Sequence, residues 1–276
     1  MLFEIKESMD TLCYPFYLAR GRKPWSPGYY TAKRWGIENA IDAGSLDPGA
    51  VLPEGFGFRL DERVIEYPWV LARLPKNPGA MLDAGSALNY RFLITKAPVR
   101  DAKLSICTLA PEKRCYWERG ISYVFDDLRS CMYRSGAFDT IVSISTIEHI
   151  GLDNTLLYTT DGTKQQDDSA GFRAAVREFR RILRPGGVCF VTVPYGKACK
   201  RRWFQVFDAA MVRMVLHDFQ PTDQEIAYFG YSAGGWHVAD PADLREATCF
   251  DIHQERTFGP DFAASARGVA CMRLVA

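Results

Sequence analysis

Short apolar runs alternate with segments of helical periodicity from residue 80 onward. This alternation predicts a parallel β-sheet with crossover helices. The predicted strands are Ala80–Asp83, Leu104–Leu109, Ile121–Phe125, Asp139–Ser145, Val188–Val193, Glu225–Phe229 and Gly268–Val275. We therefore expect an α/β fold in which helices flank a Rossmann-like sheet of seven strands.

Two helices are predicted inside this region. Ser169 or Asp168 is placed to cap a helix over AGFRAAVREFRRIL, in which Phe172 and Phe179 belong to the apolar face. RPGG follows, and because Pro185 cannot continue a helix, a turn into the next strand is expected there. A second helix is predicted over DAAMVRMVLHDF.

The first 79 residues differ from the rest of the chain. They are rich in Pro, Gly and aromatic residues, and they show one clear helical stretch, LDERVIEYPWVLARL. We expect residues 1–79 to form an extension with a covering helix, and residues 80–276 to form one domain. That domain should carry an insertion at about 231–267, between its last two strands.

Composition and charge limit the class of protein. Apolar residues make up 47% of the chain and charged residues 24%, while the net charge of +1 gives no reason to expect nucleic acid as a partner. The eight cysteines include no CxxC pair, so we expect neither a metal cage nor a disulfide framework. No secretory leader pattern and no apolar run near 18 residues is present, which favours a cytoplasmic protein.

MLDAGSALNY, residues 81–90, predicts a strand that enters a tight turn. Gly85 permits unusual backbone angles, Ser86 and Ala87 are small, and Asn89 tolerates the left-handed region. Such a turn lets a ligand approach backbone N–H groups at the end of a strand. An ordinary strand-to-helix connection is the alternative interpretation.

The next strand lacks the acid that dinucleotide sites use for ribose hydroxyls. In LSICTLAPEK, Thr108 stands near the strand end, and Glu112 follows only after Pro111. A threonine hydroxyl cannot provide the two acceptor oxygens of a carboxylate.

Four segments in order, MLDAGSALN, DDLRS, FDTIVSISTIEHIG and EFRRILRPGGVCFVTVPYGK, resemble the motifs of class I S-adenosylmethionine-dependent methyltransferases. The resemblance covers about residues 80–197. It implies a mixed sheet whose seventh strand is antiparallel, S-adenosylmethionine as cofactor and S-adenosylhomocysteine as product. ERVIEYPWV, STIEHIG and TVPYGK are further similar to bacterial methyltransferases of surface-polysaccharide or other sugar biosynthesis.

The resemblance also implies a set of cofactor-binding residues. Asp83 and Gly85 would lie near the methionine part, Thr108 at the ribose and Asp127 beside the adenine. The full set is Asp83, Ala84, Gly85, Ser86, Asn89, Thr108, Leu109, Asp127, Leu128, Ser145 and Tyr67. For Tyr67, which would cover the methionine end from its helix, simple packing remains the alternative.

Methyl transfer from a sulfonium to a hydroxyl requires alignment and, in some cases, a base. His149 in TIEHIG follows the fourth strand and titrates in the useful range, with Glu148 as a competitor and His237 as a second histidine candidate. A structural hydrogen bond is the alternative for His149. Candidate acceptor-binding residues are Tyr195, Arg201 and Trp236, although KACKRRWF also fits a solvated basic loop.

The leading hypothesis is a methyltransferase that acts on a small molecule or glycan precursor, with O-methylation of a sugar as the finer prediction. A catalytically inactive binding or scaffold protein of the same fold is the rival, because the turn has one glycine and Thr108 replaces the acid. A nicotinamide-dependent oxidoreductase is a third hypothesis, which the missing glycines disfavour.

Overall fold

The computed structural model of the protein describes residues 2–159 and 161–276. The helices are α1 (Leu2–Ala19), α2 (Tyr29–Asp42), α3 (Arg63–Leu71), α4 (Arg91–Ile94), α5 (Thr155–Tyr158), α6 (Phe172–Ile182) and α7 (Ala209–Phe219). The strands are β1 (Ala80–Ala84), β2 (Lys103–Thr108), β3 (Ser122–Phe125), β4 (Phe138–Ile144), β5 (Leu183–Pro194), β6 (Cys199–Lys200), β7 (Gln205–Val206), β8 (Asp223–Ser232), β9 (Gly235–Val238) and β10 (Gly268–Val275). Among the described residues, no helix combines the length and apolar character needed to cross a bilayer.

The main sheet has the order β3-β2-β1-β4-β5-β10-β8-β9. Strand β1 pairs in parallel with both β2 and β4, and the parallel set extends to β3 on one side and β5 on the other. The strand order therefore reverses between β1 and β4. This is a Rossmann-like arrangement, in which ligands bind in the crevice outside the carboxyl ends of the strands at the reversal.

Strand β10 runs antiparallel to its neighbours. Gly186 N donates to Ala276 O at 2.9 Å and Ala276 N donates to Gly187 O at 2.9 Å, so the end of β10 lies beside the start of β5. Thr222 N donates to Val275 O at 2.9 Å, which places the same end beside the start of β8. The predicted mixed α/β sheet is confirmed.

Two details of the predicted sheet were wrong. The sheet has eight strands rather than seven, because Ser232 pairs with Gly235 in a tight hairpin that adds β9. The RPGG segment is not a turn before β5, since β5 already begins at Leu183, which pairs with Phe138. The register then shifts before Val188 pairs with Thr140, so RPGG forms an irregularity within the strand.

The helix over AGFRAAVREFRRIL is confirmed as α6, but its predicted cap is not. The N-cap residue is Gly171, without a side-chain cap, and Asp168 Oδ1 instead accepts from Ala170 N at 3.0 Å in the preceding turn. In α7 the predicted start is confirmed, because Asp208 Oδ1 accepts from Met211 N at 2.9 Å.

The first 79 residues contain three helices, where the sequence pattern predicted one. Helix α1 was missed because apolar residues such as Leu12 and Phe16 are exposed, so no clean apolar stripe marks its buried face. Helix α2 begins after Gly28, and its start is stabilised by Asp10 of α1, whose carboxylate accepts from Gly28 N and Thr31 N at 2.7 Å. A cap supplied by a distant residue leaves no local signal.

The chain divides into two compact units. The first comprises the chain up to Arg73 together with Tyr228–Val269, and the second comprises Leu74–Ala227 together with Ala270–Ala276. Strands β8 and β10 contribute residues to both units. The reversal between β1 and β4 belongs entirely to the second unit.

Aromatic rings surround a lysine in the first unit. The Lys33 Nζ atom lies 5.1 Å from the ring centroid of Trp25, 5.5 Å from that of Tyr29 and 5.2 Å from that of Tyr30. The same ammonium donates to Asp61 Oδ2 at 2.8 Å, and the Asp61 side chain is 3% exposed. The aromatic rings and the carboxylate together hold this cation on α2.

Candidate functional site

The turns after β1 and β4 meet at the strand reversal. Gly85, directly after β1, has φ +114° and donates from its N to Cys107 O at 2.8 Å. A Cβ on Gly85 would lie 2.2 Å from Thr146 Oγ1, in the turn after β4. Only a residue without a side chain fits this position, so the sequence signal at Gly85 corresponds to a close approach of two loops.

Asp83 is the single acid of β1, and its side chain organises the turn that follows the strand. Its carboxylate accepts from Ala87 N at 3.0 Å and from Leu88 N at 2.8 Å. Burial raises the pKa of Asp83 to about 7, although the two backbone hydrogen bonds oppose that rise. The side chain is fully buried, so it holds the turn from beneath.

Ser86 provides the clearest sign of a ligand at this turn. Its φ is +63°, which is unusual for a residue with a side chain. Its Oγ is buried and has no hydrogen-bond partner among the described residues. A buried hydroxyl without a partner costs free energy, and strained backbone of this kind clusters at binding sites. Ser86 and Gly85 thus form a polar cradle that suits a small polar ligand.

Asn89 does not have the conformation that the sequence suggested. Ser86 adopts the positive φ of this turn, whereas Asn89 does not. The Asn89 side chain instead donates from Nδ2 to Arg114 O at 2.9 Å, and its Oδ1 accepts from the Tyr123 hydroxyl at 2.9 Å. The residue is buried and ties the segment after β2 to the turn after β1.

The ends of β2 and β3 carry the next predicted residues. Thr108 is buried at the end of β2, and its side chain lies near that of Tyr158. Leu109 beside it is 53% exposed. After β3, Asp127 forms an ion pair with Arg129 at 2.6 Å, and Leu128 is buried. Burial alone would raise the pKa of Asp127, but the Arg129 hydrogen bonds outweigh it and the pKa lies below the usual range.

Ser145 and Ala84 complete the predicted set in this crevice. Ser145 has φ +39° and donates from its N to Thr192 O at 3.0 Å, which fixes the exit of the chain from β4. Ala84 is fully buried at the end of β1. The structure therefore brings together the predicted residues of β1 and β4 at the strand reversal.

His149 lies on the turn after β4. Its Nδ1 is 2.8 Å from Trp203 O, and because a carbonyl only accepts, Nδ1 must carry the proton. The imidazole stacks on the Trp203 ring with a centroid distance of 4.9 Å and an interplanar angle of 17°. Nε2 lies 3.8 Å from Oε1 of the buried Glu148. Nε2 is therefore the nitrogen that can accept a proton.

A small polar cavity lies beside this turn. It has a volume of about 300 Å³, and its lining residues are Asp153, Gln165, Gln166, Asp167, Lys200, Arg201 and Arg202. Arg202 pairs with Asp153 at 2.7 Å, and Lys200 pairs with Asp167. The predicted acceptor residue Arg201 therefore lines a mixed-charge cavity, whereas Tyr195 is buried and forms a bridge to Phe207.

Three predicted site residues belong to the first unit. Tyr67 is buried, and the Arg63 guanidinium lies 6.0 Å from its ring centroid. Trp236 is also buried, and its Nε1 donates to Leu60 O at 3.0 Å. His237 is exposed and lines a separate cavity of about 330 Å³ with Asp240 and Arg267.

Sequence reasoning missed two residues of the crevice. Thr146 occupies the space that a Cβ on Gly85 would need, and the Tyr158 side chain lies near Thr108. No local pattern marks either residue, because each acts through a partner that is distant in the sequence. Among the described residues, no group of three or more His, Cys, Asp or Glu side chains is arranged to hold a metal ion.

No protein-family model matches the chain, and neither does any curated protein sequence. Among solved structures, the chain is similar to the 1,6-didemethyltoxoflavin-N1-methyltransferase of Burkholderia thailandensis, with 13% identity, TM-score 0.46 and coverage of 91% of this chain and 90% of that one. It is also similar to a possible histamine N-methyltransferase of Thermotoga maritima, with 14% identity, TM-score 0.44 and coverage of 87% and 99%.

A third similar structure is the N-methyltransferase NodS of Bradyrhizobium japonicum in complex with S-adenosylhomocysteine. Its identity to the chain is 18%, its TM-score is 0.38, and the match covers 75% of this chain and 83% of that one. Likenesses this distant do not assign an activity, so we base the function on the residues of the site.

Proposed function

We propose that the protein is an S-adenosylmethionine-dependent methyltransferase. The observation that carries this proposal is the cradle at the strand reversal, where Gly85 and Ser86 have positive φ and the buried Ser86 hydroxyl has no partner in the part of the chain that the structure describes. A ligand with amino, carboxylate and hydroxyl groups matches this polar lining. The four ordered sequence motifs, which resemble those of class I S-adenosylmethionine-dependent methyltransferases, indicate that this ligand is S-adenosylmethionine.

The residues of the crevice fit the cofactor in distinct places. The turn from Gly85 to Ser86 would hold the methionine part, Thr108 would face the ribose, and Asp127 with Leu128 would border the adenine. Ser145, directly after β4, would lie on the other side of the cofactor from the turn after β1. S-adenosylmethionine, when bound, supplies an electrophilic methyl group, and the chain must align an acceptor with it.

His149 is the base in this proposal. Its Nδ1 proton is engaged by Trp203 O, so Nε2 can take a proton from an acceptor hydroxyl. Glu148 lies 3.8 Å from Nε2, where its carboxylate would stabilise the imidazolium that forms. The stacked Trp203 ring keeps the imidazole in one orientation.

We further propose a hydroxyl acceptor on a sugar or a related small molecule. Arg201 in the adjacent cavity offers donors for an anionic or polar group of such an acceptor, and Tyr195 precedes it along the chain. Trp236 and His237 of the first unit are further candidates from the sequence. The buried Glu148 beside His149 favours an active enzyme over an inactive binding protein, which is the rival proposal.

Titration of S-adenosylhomocysteine into the purified protein, followed by calorimetry, tests the proposal. We expect saturable binding with one site per chain and a micromolar dissociation constant, because the cradle is preformed. Adenosine alone should bind more weakly, since it lacks the amino-acid part that the Gly85–Ser86 turn would hold. Absence of any binding heat would contradict the proposed function and would direct the search to protein partners.

The base is tested by replacing His149 with glutamine. On an acceptor identified by screening nucleotide sugars and glycan fragments, H149Q should lower kcat about 100-fold near neutral pH, because no group then accepts the proton. The affinity for S-adenosylhomocysteine should not change. His217→Gln is a matched control, because His217 is exposed on α7. An unchanged kcat across the pH range would remove His149 from the mechanism.

A further inference from the structure

A short hairpin after β5 forms one wall of the polar cavity beside the turn after β4. Its strands β6 and β7 pair in antiparallel fashion. Arg201 N donates to Phe204 O at 2.8 Å, so Arg202 and Trp203 form a two-residue tip. The cavity takes all three of its cationic side chains from this hairpin, namely Lys200, Arg201 and Arg202.

Both carbonyl groups of the hairpin tip are bound to the turn after β4. Arg202 O accepts from Asp153 N at 3.1 Å, and Trp203 O accepts from His149 Nδ1 at 2.8 Å. The Arg202 guanidinium also pairs with the Asp153 carboxylate at 2.7 Å. These contacts fix the backbone of the hairpin, so its cationic side chains start from defined positions.

The lining of the cavity carries one net positive charge. Its three cationic side chains are accompanied by two carboxylates, those of Asp153 and Asp167. The Asp153 side chain is only 11% exposed and is committed to Arg202. The Asp167 side chain is 80% exposed, and because exposed ion pairs contribute little to stability, its pair with Lys200 can open at little cost. An anion that enters the cavity would therefore find Lys200 and Arg201 within its lining.

We propose that this cavity binds an anionic group of the methyl acceptor, a phosphate or a carboxylate. The Arg201 guanidinium can bind either oxyanion through two parallel N–H donors, and the amides of Gln165 and Gln166 add neutral donors. The volume of about 300 Å³ lies at the lower end of the range for small-molecule sites and suits one substituent of an acceptor. The assignment rests on the proposed function, because it requires a methyl acceptor.

The same hairpin orients the proposed base. Trp203 follows Arg202 at the tip, binds the His149 imidazole through its carbonyl and stacks on it with a centroid distance of 4.9 Å. Because consecutive Cα atoms are about 3.8 Å apart, the base and the cavity contact neighbouring positions of one rigid turn. A small acceptor that carries a hydroxyl and an anionic group, such as a sugar phosphate or a sugar acid, matches this arrangement. The hairpin therefore sets the acceptor specificity as well as the orientation of the base.

Titration of the protein saturated with S-adenosylhomocysteine tests the assignment. The probes are a hexose 6-phosphate, the corresponding hexuronate and the neutral hexose, and calorimetry measures each dissociation constant. At least one anionic probe should bind about tenfold or more tightly than the neutral hexose, because only the anions gain hydrogen bonds between charged groups. The tighter of the two anionic probes shows whether the cavity is built for a phosphate or for a carboxylate.

Two variants of the hairpin locate the effect. Arg201→Gln should weaken the better anionic probe about tenfold and leave the affinities for the neutral hexose and S-adenosylhomocysteine unchanged, because it removes the charge but keeps a polar side chain. Lys200→Gln should weaken the same probe as well, which tests the site independently of the Arg201 side chain. Arg213→Gln is the matched control, because Arg213 is exposed on α7 and its replacement changes the net charge equally.

The results separate this assignment from the proposed function. Binding of S-adenosylhomocysteine without saturable binding of either anionic probe, or with equal affinity for the neutral hexose, would overturn the anion site and leave the methyltransferase proposal intact. Equal losses in Arg201→Gln and Arg213→Gln would also overturn it, because the effect would then come from the net charge of the protein. Failure of the wild-type protein to bind S-adenosylhomocysteine would overturn the proposed function and, with it, the acceptor role of the cavity.

Discussion

Gly85→Ala should reduce the affinity for S-adenosylhomocysteine at least 100-fold. The residue has φ +114°, which alanine adopts only with strain, and its Cβ would lie 2.2 Å from Thr146 Oγ1 and 2.8 Å from Thr146 Cβ. Relief of this overlap requires the turns after β1 and β4 to separate. A displacement of about 1 Å in groups that position a reactant can lower the reaction rate about 100-fold, and we expect a loss of similar size in affinity when the cofactor turn moves. Calorimetric titration measures the loss directly.

The appropriate control is Gly186→Ala. Gly186 also has a positive φ, +73°, but no atom lies within 4 Å of the position of its Cβ, and it lies in β5 away from the crevice. This variant should lower the free energy of unfolding by about 1 kcal/mol from backbone strain alone and should bind S-adenosylhomocysteine as the wild type does. Wild-type affinity in Gly85→Ala would show that the turn after β1 is not the cofactor site.

Lys33→Met should destabilise the protein by about 3 kcal/mol, measured as the free energy of unfolding in urea. The substitution keeps most of the aliphatic stem but removes the ammonium from the rings of Trp25, Tyr29 and Tyr30. It also leaves the Asp61 carboxylate, which is 3% exposed, without its 2.8 Å ion pair. A buried charge that loses its partner accounts for most of the expected effect.

Two further variants test this explanation. Adding Asp61→Asn to Lys33→Met should recover much of the lost stability, because the buried negative charge is then absent. Arg34→Met is the matched control on the same helix, since its ion pair with Glu38 has side chains 35% and 30% exposed and should contribute less than about 1 kcal/mol. Equal losses in Lys33→Met and Arg34→Met would contradict a special role for the Lys33 site.

The sheet could be predicted because burial on both faces leaves a strong local pattern. The strand predictions at Leu104–Leu109 and Asp139–Ser145 lie within one residue of β2 and β4, in which most residues are buried. The exposed apolar residues of α1 and the distant cap on α2 explain why those two helices were missed. Their stability comes from packing rather than from an amphipathic pattern.

The residues of the candidate site likewise divide into those that a local sequence pattern marks and those that it does not. Asp83 and Gly85 were recognisable because a strand that ends in an acid and a glycine has few local structures available. Asn89 was misread, since its amide binds Arg114 O and the Tyr123 hydroxyl, which are 25 and 34 residues away. No spacing rule shows which of two small polar residues, Ser86 or Asn89, adopts the positive φ.

By itself, the sequence determined the parallel strands, the helices α6 and α7, and the tight turn after β1, because periodicity and residues with restricted or unusual backbone angles act over a few positions. Only the tertiary structure decided that Thr146 lies against Gly85, that Tyr158 lies near Thr108 and that the Asn89 amide donates to Arg114 O. These contacts join residues far apart in the chain, and their geometry depends on the order of strands at the reversal between β1 and β4.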